Sequence, residues 1–166
     1  MTKGRITEEE YFDGIEQLKK IPAQVEKVLE CNELVGQIAE EIKEANDIFY
    51  LGRGVDYSLA MEGALKIKEI SYVHAEAFAA GELKHGSIAL IDKGTPVVAI
   101  ATQNQLFEKM VSNMQEVRAR GARVIAITQE GNTEVEKSAD RVIYIPKIDD
   151  MFASITAVVP MQLLAY

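Results

Sequence analysis

The chain has 166 residues, 48% apolar and 27% charged, which suits one soluble globular domain with a sizeable core. Its formal net charge of −8 argues against a nucleic-acid partner, whose electrostatic footprint is basic. It leaves room for a small anionic ligand in a locally positive cleft.

In chain order, Thr7 and Glu10 form a capping-box pattern, with Ile6 and Tyr11 placed to staple it, and a helix is expected over about 8–20. Pro22 is expected to kink that helix or start a new one. A second helix covers about 32–45. Cys31 has no partner for a disulfide, which fits a reducing compartment, and a cytoplasmic location is expected. Its neighbours Glu30, Asn32 and Glu33 offer no positive charge to activate the thiol, so it is read as structural.

"DIFYLGRG" reads as a buried strand running into a tight turn, followed by a helix over 55–71. "VHAEAF" alternates like a strand. "PVVAIAT" (96–102), "ARVIAIT" (122–128) and "RVIYIP" (141–146) are further buried strands. Asn104 opens a helix to about Arg120, with Gly121 as its left-handed cap, and a last helix starts near Met151. The C-terminal "MFASITAVVPMQLLAY" is shorter than the ~20 residues of a bilayer span and is broken by Ser154, Thr156, Pro160 and Gln162. The opening "MTKGRITEEEYF" lacks the apolar run of a signal peptide, and no membrane partner is expected. Apolar strands alternating with helices imply an α/β fold: a three-layer α/β/α sandwich around a parallel, flavodoxin-like five-stranded sheet in the order 2-1-3-4-5. Ligands of such folds sit beyond the carboxyl ends of the strands, which puts "GRGVDY" at the expected crevice.

The stretch "GALKIKEISYVHAEAFAAGELKHG" carries the chemistry. On the 55–71 helix, Glu62, Lys66 and Glu69 stand at i, i+4 and i+7 and share one face of an otherwise apolar helix. The stripe is either a salt-bridge ladder on a solvated face or a lysine and carboxylate held side by side to move a proton. His85, in the Gly-flanked "ELKHGS", is either an acid–base group or a structural histidine, and His74 in its strand reads as structural. Neither has a second ligand at metal-binding spacing, so no metal site is expected. The glycines of "GRG" match neither a dinucleotide fingerprint nor a P-loop and serve a tight turn, while Arg53 is either an anion contact or a surface side chain.

Three stretches, "LGRGVDYSLAMEGALKIKEISYVHAEAFAAGELKHGSIALID", "NMQEVRARGARVIAIT" and "VVPMQLLAY", carry a resemblance that extends from about Tyr11 to Tyr166. The chain resembles the second sugar-isomerase (SIS) half of the glucosamine-6-phosphate synthase family. The resemblance implies an enzyme with a glutaminase domain and two tandem SIS halves, which passes ammonia from glutamine to fructose 6-phosphate and isomerises the product. It needs no cofactor. Glu69 matches the base that moves a proton between C1 and C2, Lys66 a lysine at the reacting sugar, and Glu62 a further active-site carboxylate. His85 matches the ring-opening histidine, supplied to the neighbouring subunit's site, so a homodimer is implied.

The chain also departs from the whole-enzyme pattern. It lacks the N-terminal cysteine nucleophile of the glutaminase. Its "GRGVDY" turn has no hydroxyl before Tyr57, where the first half carries its phosphate loop, so weak or absent phosphate binding is expected. The family's Schiff-base lysine lies beyond "LLAY". The expectation is therefore a piece of a longer enzyme, incomplete alone, with a helical lead-in over 1–30 and an SIS domain over 31–166. Two other readings are a sugar-phosphate deaminase or isomerase and a non-catalytic sugar-phosphate sensor. The set Glu69, Lys66 and His85 favours an enzyme, since a sensor needs no proton shuttle. Lys66 and Glu69 are expected to enter one crevice at the carboxyl end of the first strand, with His85 well away from them.

Overall fold

A computed structural model describes Gly4 and residues 6–166. Helix α1 spans Glu8–Leu29 and opens as the capping pattern requires. The Thr7 backbone N–H donates to Glu10 Oε2 at 2.7 Å, and the Glu10 N–H donates to Thr7 Oγ1 at 3.1 Å. Three acidic residues in its first turn face the positive end of the helix dipole. The helix continues through Pro22, where a kink or a new start was expected. Helix α2 follows at Asn32–Ile42.

Five strands form one parallel sheet in the order β2-β1-β3-β4-β5, as the alternation of elements predicts. They are β1 (Asp47–Gly52), β2 (His74–Ala79), β3 (Pro96–Ala101), β4 (Arg123–Gln129) and β5 (Arg141–Ile145). Helices α3 (Val55–Ile70), α4 (Phe107–Ala119) and α5 (Ala153–Ala165) complete the layers. The period-two alternation of the strands splits the core into two clusters. Ile48, Tyr50, Val98, Ile100, Ile125, Ile127, Ile143 and Ile145 share one cluster with residues of α2, α3 and α5. Phe49, Leu51, Val97, Ala99, Ala101, Val124 and Ala126 face the other way, toward Met110, Met114 and Val117 of α4. Alanines on that face let α4 approach closely.

Helix α3 lies under α5 at a tight crossing. A Cβ on Gly63 would sit 2.7 Å from both Met161 Sδ and Tyr50 Cε1, closer than side chains can pack, so only glycine fits there. Helix α5 keeps Pro160 inside it, buried beside Met161 and Leu164. Packing on that face offsets the missing backbone donor. At the amino ends of the strands, Glu41 of α2 pairs with Arg123 at the start of β4 and Arg141 at the start of β5. Cys31 caps α2, half-buried, and burial pushes its thiol pKa up, in keeping with a structural residue. His74 and Asp47 face each other in the β1–β2 register, with Nδ1 and Oδ1 2.6 Å apart, which gives that histidine a structural partner. The expected 104–120 helix begins with a 3₁₀ turn over Asn104–Leu106 before α4. No helix among the described residues is long and apolar enough to cross a membrane.

Candidate functional site

Strand order reverses between β1 and β3, and the carboxyl ends of those strands frame the crevice where doubly wound folds bind ligands. The "GRG" turn enters it for steric reasons. A Cβ on Gly52 would lie 2.2 Å from the Asp56 backbone oxygen, and Gly54 holds φ +58°. The turn delivers Asp56 into the crevice at 1% exposure. Its Oδ2 accepts the Thr102 backbone N–H at 2.8 Å, and its Oδ1 accepts the Thr102 hydroxyl at 2.6 Å. Burial pushes the Asp56 carboxyl above the usual aspartate range, against the downward pull of the Thr102 and Gln103 donors. Beside it, Asp150 accepts from the Asn104 backbone N–H at 2.8 Å and from Asn104 Nδ2 at 2.7 Å. Pattern reading overlooked this acidic cluster, because its donors lie 46 residues from its acceptors.

Arg53 is no free anion contact. It is half-buried, donates to Asn113 Oδ1 at 3.1 Å, and lies against Gly81, where a Cβ would meet its Nη1 at 2.8 Å. Asn113 passes the contact on to Glu116, and Glu116 pairs with Lys84, the neighbour of His85.

The charged stripe stands elsewhere, which corrects the expectation of a crevice at the carboxyl end of β1. Helix α3 starts at that end and runs back for about 24 Å, at 1.5 Å per residue. Gly63 meets Tyr50 in the middle of β1, so Lys66 and Glu69, in the following turns, lie toward the amino ends of the strands. The Lys66 ammonium donates to Glu69 Oε2 at 2.6 Å and lies 3.6 Å from Glu62 Oε1. The hydrogen bond to Glu69 holds its pKa above the usual lysine value, so it stays charged through neutral pH. In the trio, Glu69 is exposed, Glu62 and Lys66 are half-buried, and none of the three lines any of four surface clefts. Within this chain it is a salt-bridged ladder, with Met61, Leu65 and Ile70 exposed on the same side of the helix.

His85 closes a 3₁₀ turn (Leu83–His85) that follows the carboxyl end of β2, while Glu69 precedes its amino end. The length of β2, about 20 Å at 3.3 Å per residue, separates the two levels. No hydrogen bond joins His85 to Glu69 among the described residues. The nearest charge on His85 is Glu82, 3.9 Å from Nε2.

The five-stranded doubly wound parallel sheet, with a charged stripe on its first crossover helix and His85 on the turn after β2, places the chain among the α/β domains whose ligands bind at the strand ends. The SIS domain family model matches residues 41–166, and the chain belongs to that family. It is 48% identical over all 166 residues to the glutamine–fructose-6-phosphate aminotransferase (isomerizing) of Caldanaerobacter subterraneus. It is 51% identical over 164 residues, 99% of its length, to the enzyme of that name from Thermus thermophilus. The chain spans only 27% of the length of those two relatives. Among solved structures, the C-terminal domain of glucosamine-fructose-6-phosphate aminotransferase from Francisella tularensis superposes with a TM-score of 0.92 at 39% identity. That match covers 99% of this chain and 46% of the other.

Proposed function

We propose that the chain is the second, C-terminal SIS half of the isomerase domain of a glutamine–fructose-6-phosphate aminotransferase. The parent enzyme converts fructose 6-phosphate and glutamine to glucosamine 6-phosphate and glutamate in the cytoplasm. The observation that carries this reading is the likeness to those enzymes along the whole chain, at 48–51% identity. The 46% share of the Francisella domain fits one of two similar halves.

In this reading Glu69 is the base that carries the proton between C1 and C2. A carboxylate on a rigid helix, one hydrogen bond from an ammonium, is poised to accept a proton and return it to the adjacent carbon. Lys66 steadies sugar oxygens and Glu62 holds Lys66 from the other side. His85 opens the sugar ring in the neighbouring subunit of a homodimer, which suits its distance in level from Glu69 and its own exposure. The open face of α3, charged in the middle with Met61, Leu65 and Ile70 around it, supports a half-site completed by the first SIS half.

The test is a chimera in which this chain replaces the matching segment of the Thermus thermophilus relative. It should make glucosamine 6-phosphate from fructose 6-phosphate and glutamine. A chimera that folds and hydrolyses glutamine yet forms no amino sugar would count against the assignment.

A further inference from the structure

Tyr72, at the turn from α3 to β2, takes φ +58° and is the one non-glycine residue at positive φ among the described residues. That left-handed region suits glycine and strains a bulky side chain. Helix α4 ends by the same device with Gly121, so the chain uses glycine where only the turn matters. At the end of α3 it keeps a tyrosine, yet the side chain adds nothing to this half: it is 89% exposed and joins neither core cluster. The turn itself is held from both sides. Ser71 Oγ donates to the Ala165 backbone oxygen at 2.7 Å, Val73 packs against the core, and His74 opens β2 opposite Asp47. A strained residue persists only where its surroundings fix it, and such residues gather at functional contacts.

We infer that Tyr72 is an anchor for the first SIS half, a rigid ring held ready beside the charged stripe to seat one half on the other. The inference rests on the reading of this chain as a second half. Tyr72 follows Glu69 by three residues, at the same end of α3. It extends the exposed apolar set Met61, Leu65 and Ile70 past the charged trio and is the most exposed of the four. The Francisella domain, of which this chain matches 46%, has room for a half of similar size to lie on that face. Tyrosine is among the residues that dominate interface energetics, and a ring fixed before contact loses little freedom on docking. Tyr72 is thus a positioning residue. It acts through the seating of Glu69 and touches no reacting atom.

In the isolated 166-residue chain, Tyr72→Gly relieves the turn, so the urea midpoint should hold or rise. A clear fall would make Tyr72 a structural residue of this half and overturn the inference. Hydroxyl-radical labelling, read by mass spectrometry, should modify Tyr72 readily in the isolated chain. The modification should be lost in the chimera with the Thermus thermophilus relative, where the rest of the enzyme is present. Equal labelling of Tyr72 in both would overturn the inference. This readout does not depend on turnover: a chimera that protects Tyr72 yet forms no amino sugar counts against the proposed activity and supports the anchor. In an active chimera, Tyr72→Gly should lower glucosamine 6-phosphate formation by roughly 10²-fold with glutamine hydrolysis unchanged, and Tyr72→Phe, which keeps the ring, should restore it. Full amino-sugar formation by the glycine variant would reject the anchor.

Discussion

Tyr50 is the residue where the core is least satisfied. Its ring is fully buried in β1 beneath α3 and α5, and its hydroxyl is the one buried side-chain polar atom without a hydrogen-bond partner among the described residues. Burial pushes its pKa well above the usual tyrosine value. An unpaired buried hydroxyl costs about 1–3 kcal/mol, whereas the ring supplies the packing. Tyr50→Phe should therefore hold or raise stability, by up to about 1 kcal/mol, read from the urea midpoint at unchanged slope. A clear loss would show that the hydroxyl has a partner. Residue patterns made several positions legible. Thr7 and Glu10 sit three apart and can only cap one helix end, and Gly121 does adopt φ +92° behind α4. Asp56 was not legible, since the donors that define it come from another strand. Arg53 likewise depends on Asn113, 60 residues away.

At the scale of elements, α1 shows what local rules miss. Pro22 predicts a kink or a new start, and one helix runs on through it from Glu8 to Leu29. The helix does not restart there because α5 supports α1 through contacts that a local pattern cannot report. Proline in a helix interior costs about 3 kcal/mol relative to alanine, partly offset by its stiffer unfolded chain. Pro22→Ala at this exposed position should stabilise the helix by about 1–2 kcal/mol, seen as slower amide exchange across residues 18–26. Unchanged exchange would mean that α1 is held by packing alone.

The Glu41 clamp ties α2 to β4 and β5. Its hydrogen bond with Arg141, backed by Arg123, holds the Glu41 carboxyl below the usual glutamate value. A carboxyl with a depressed folded pKa stabilises the fold above its ordinary value of 4.5, and that stabilisation is lost as pH falls through the lower folded value. Glu41→Gln should flatten this acid limb of the stability profile and leave its shape at neutral pH unchanged. A variant whose acid limb matches that of the natural chain would show the clamp to be energetically silent. The five strands and their order were legible because buried parallel strands are short apolar runs, and the doubly wound rule leaves few orders for them.

At the scale of the whole molecule, the candidate site is split. The trio Glu62, Lys66 and Glu69 was legible as a stripe from helical spacing, but its level in the fold was not. A helix that starts at the carboxyl end of β1 carries its twelfth residue, Lys66, back past the middle of the sheet, so the crevice and the stripe part company. A split site predicts that the 166-residue chain alone forms no detectable glucosamine 6-phosphate from fructose 6-phosphate and ammonia. Orientation of bound reactants is worth roughly 7–11 kcal/mol of barrier, and a lone proton shuttle cannot replace it. Turnover by the isolated chain would show that its own clefts suffice to hold the sugar.

The most direct test of the central claim, that the α3 stripe carries the proton transfer, is Glu69→Gln in the Thermus chimera. Glutamine hydrolysis and amino-sugar formation are measured side by side. Removing a general base should lower glucosamine 6-phosphate formation by roughly 10²–10⁴-fold, while glutamine hydrolysis continues. Undiminished amino-sugar formation in that variant would contradict the account and leave the stripe as a salt-bridge ladder.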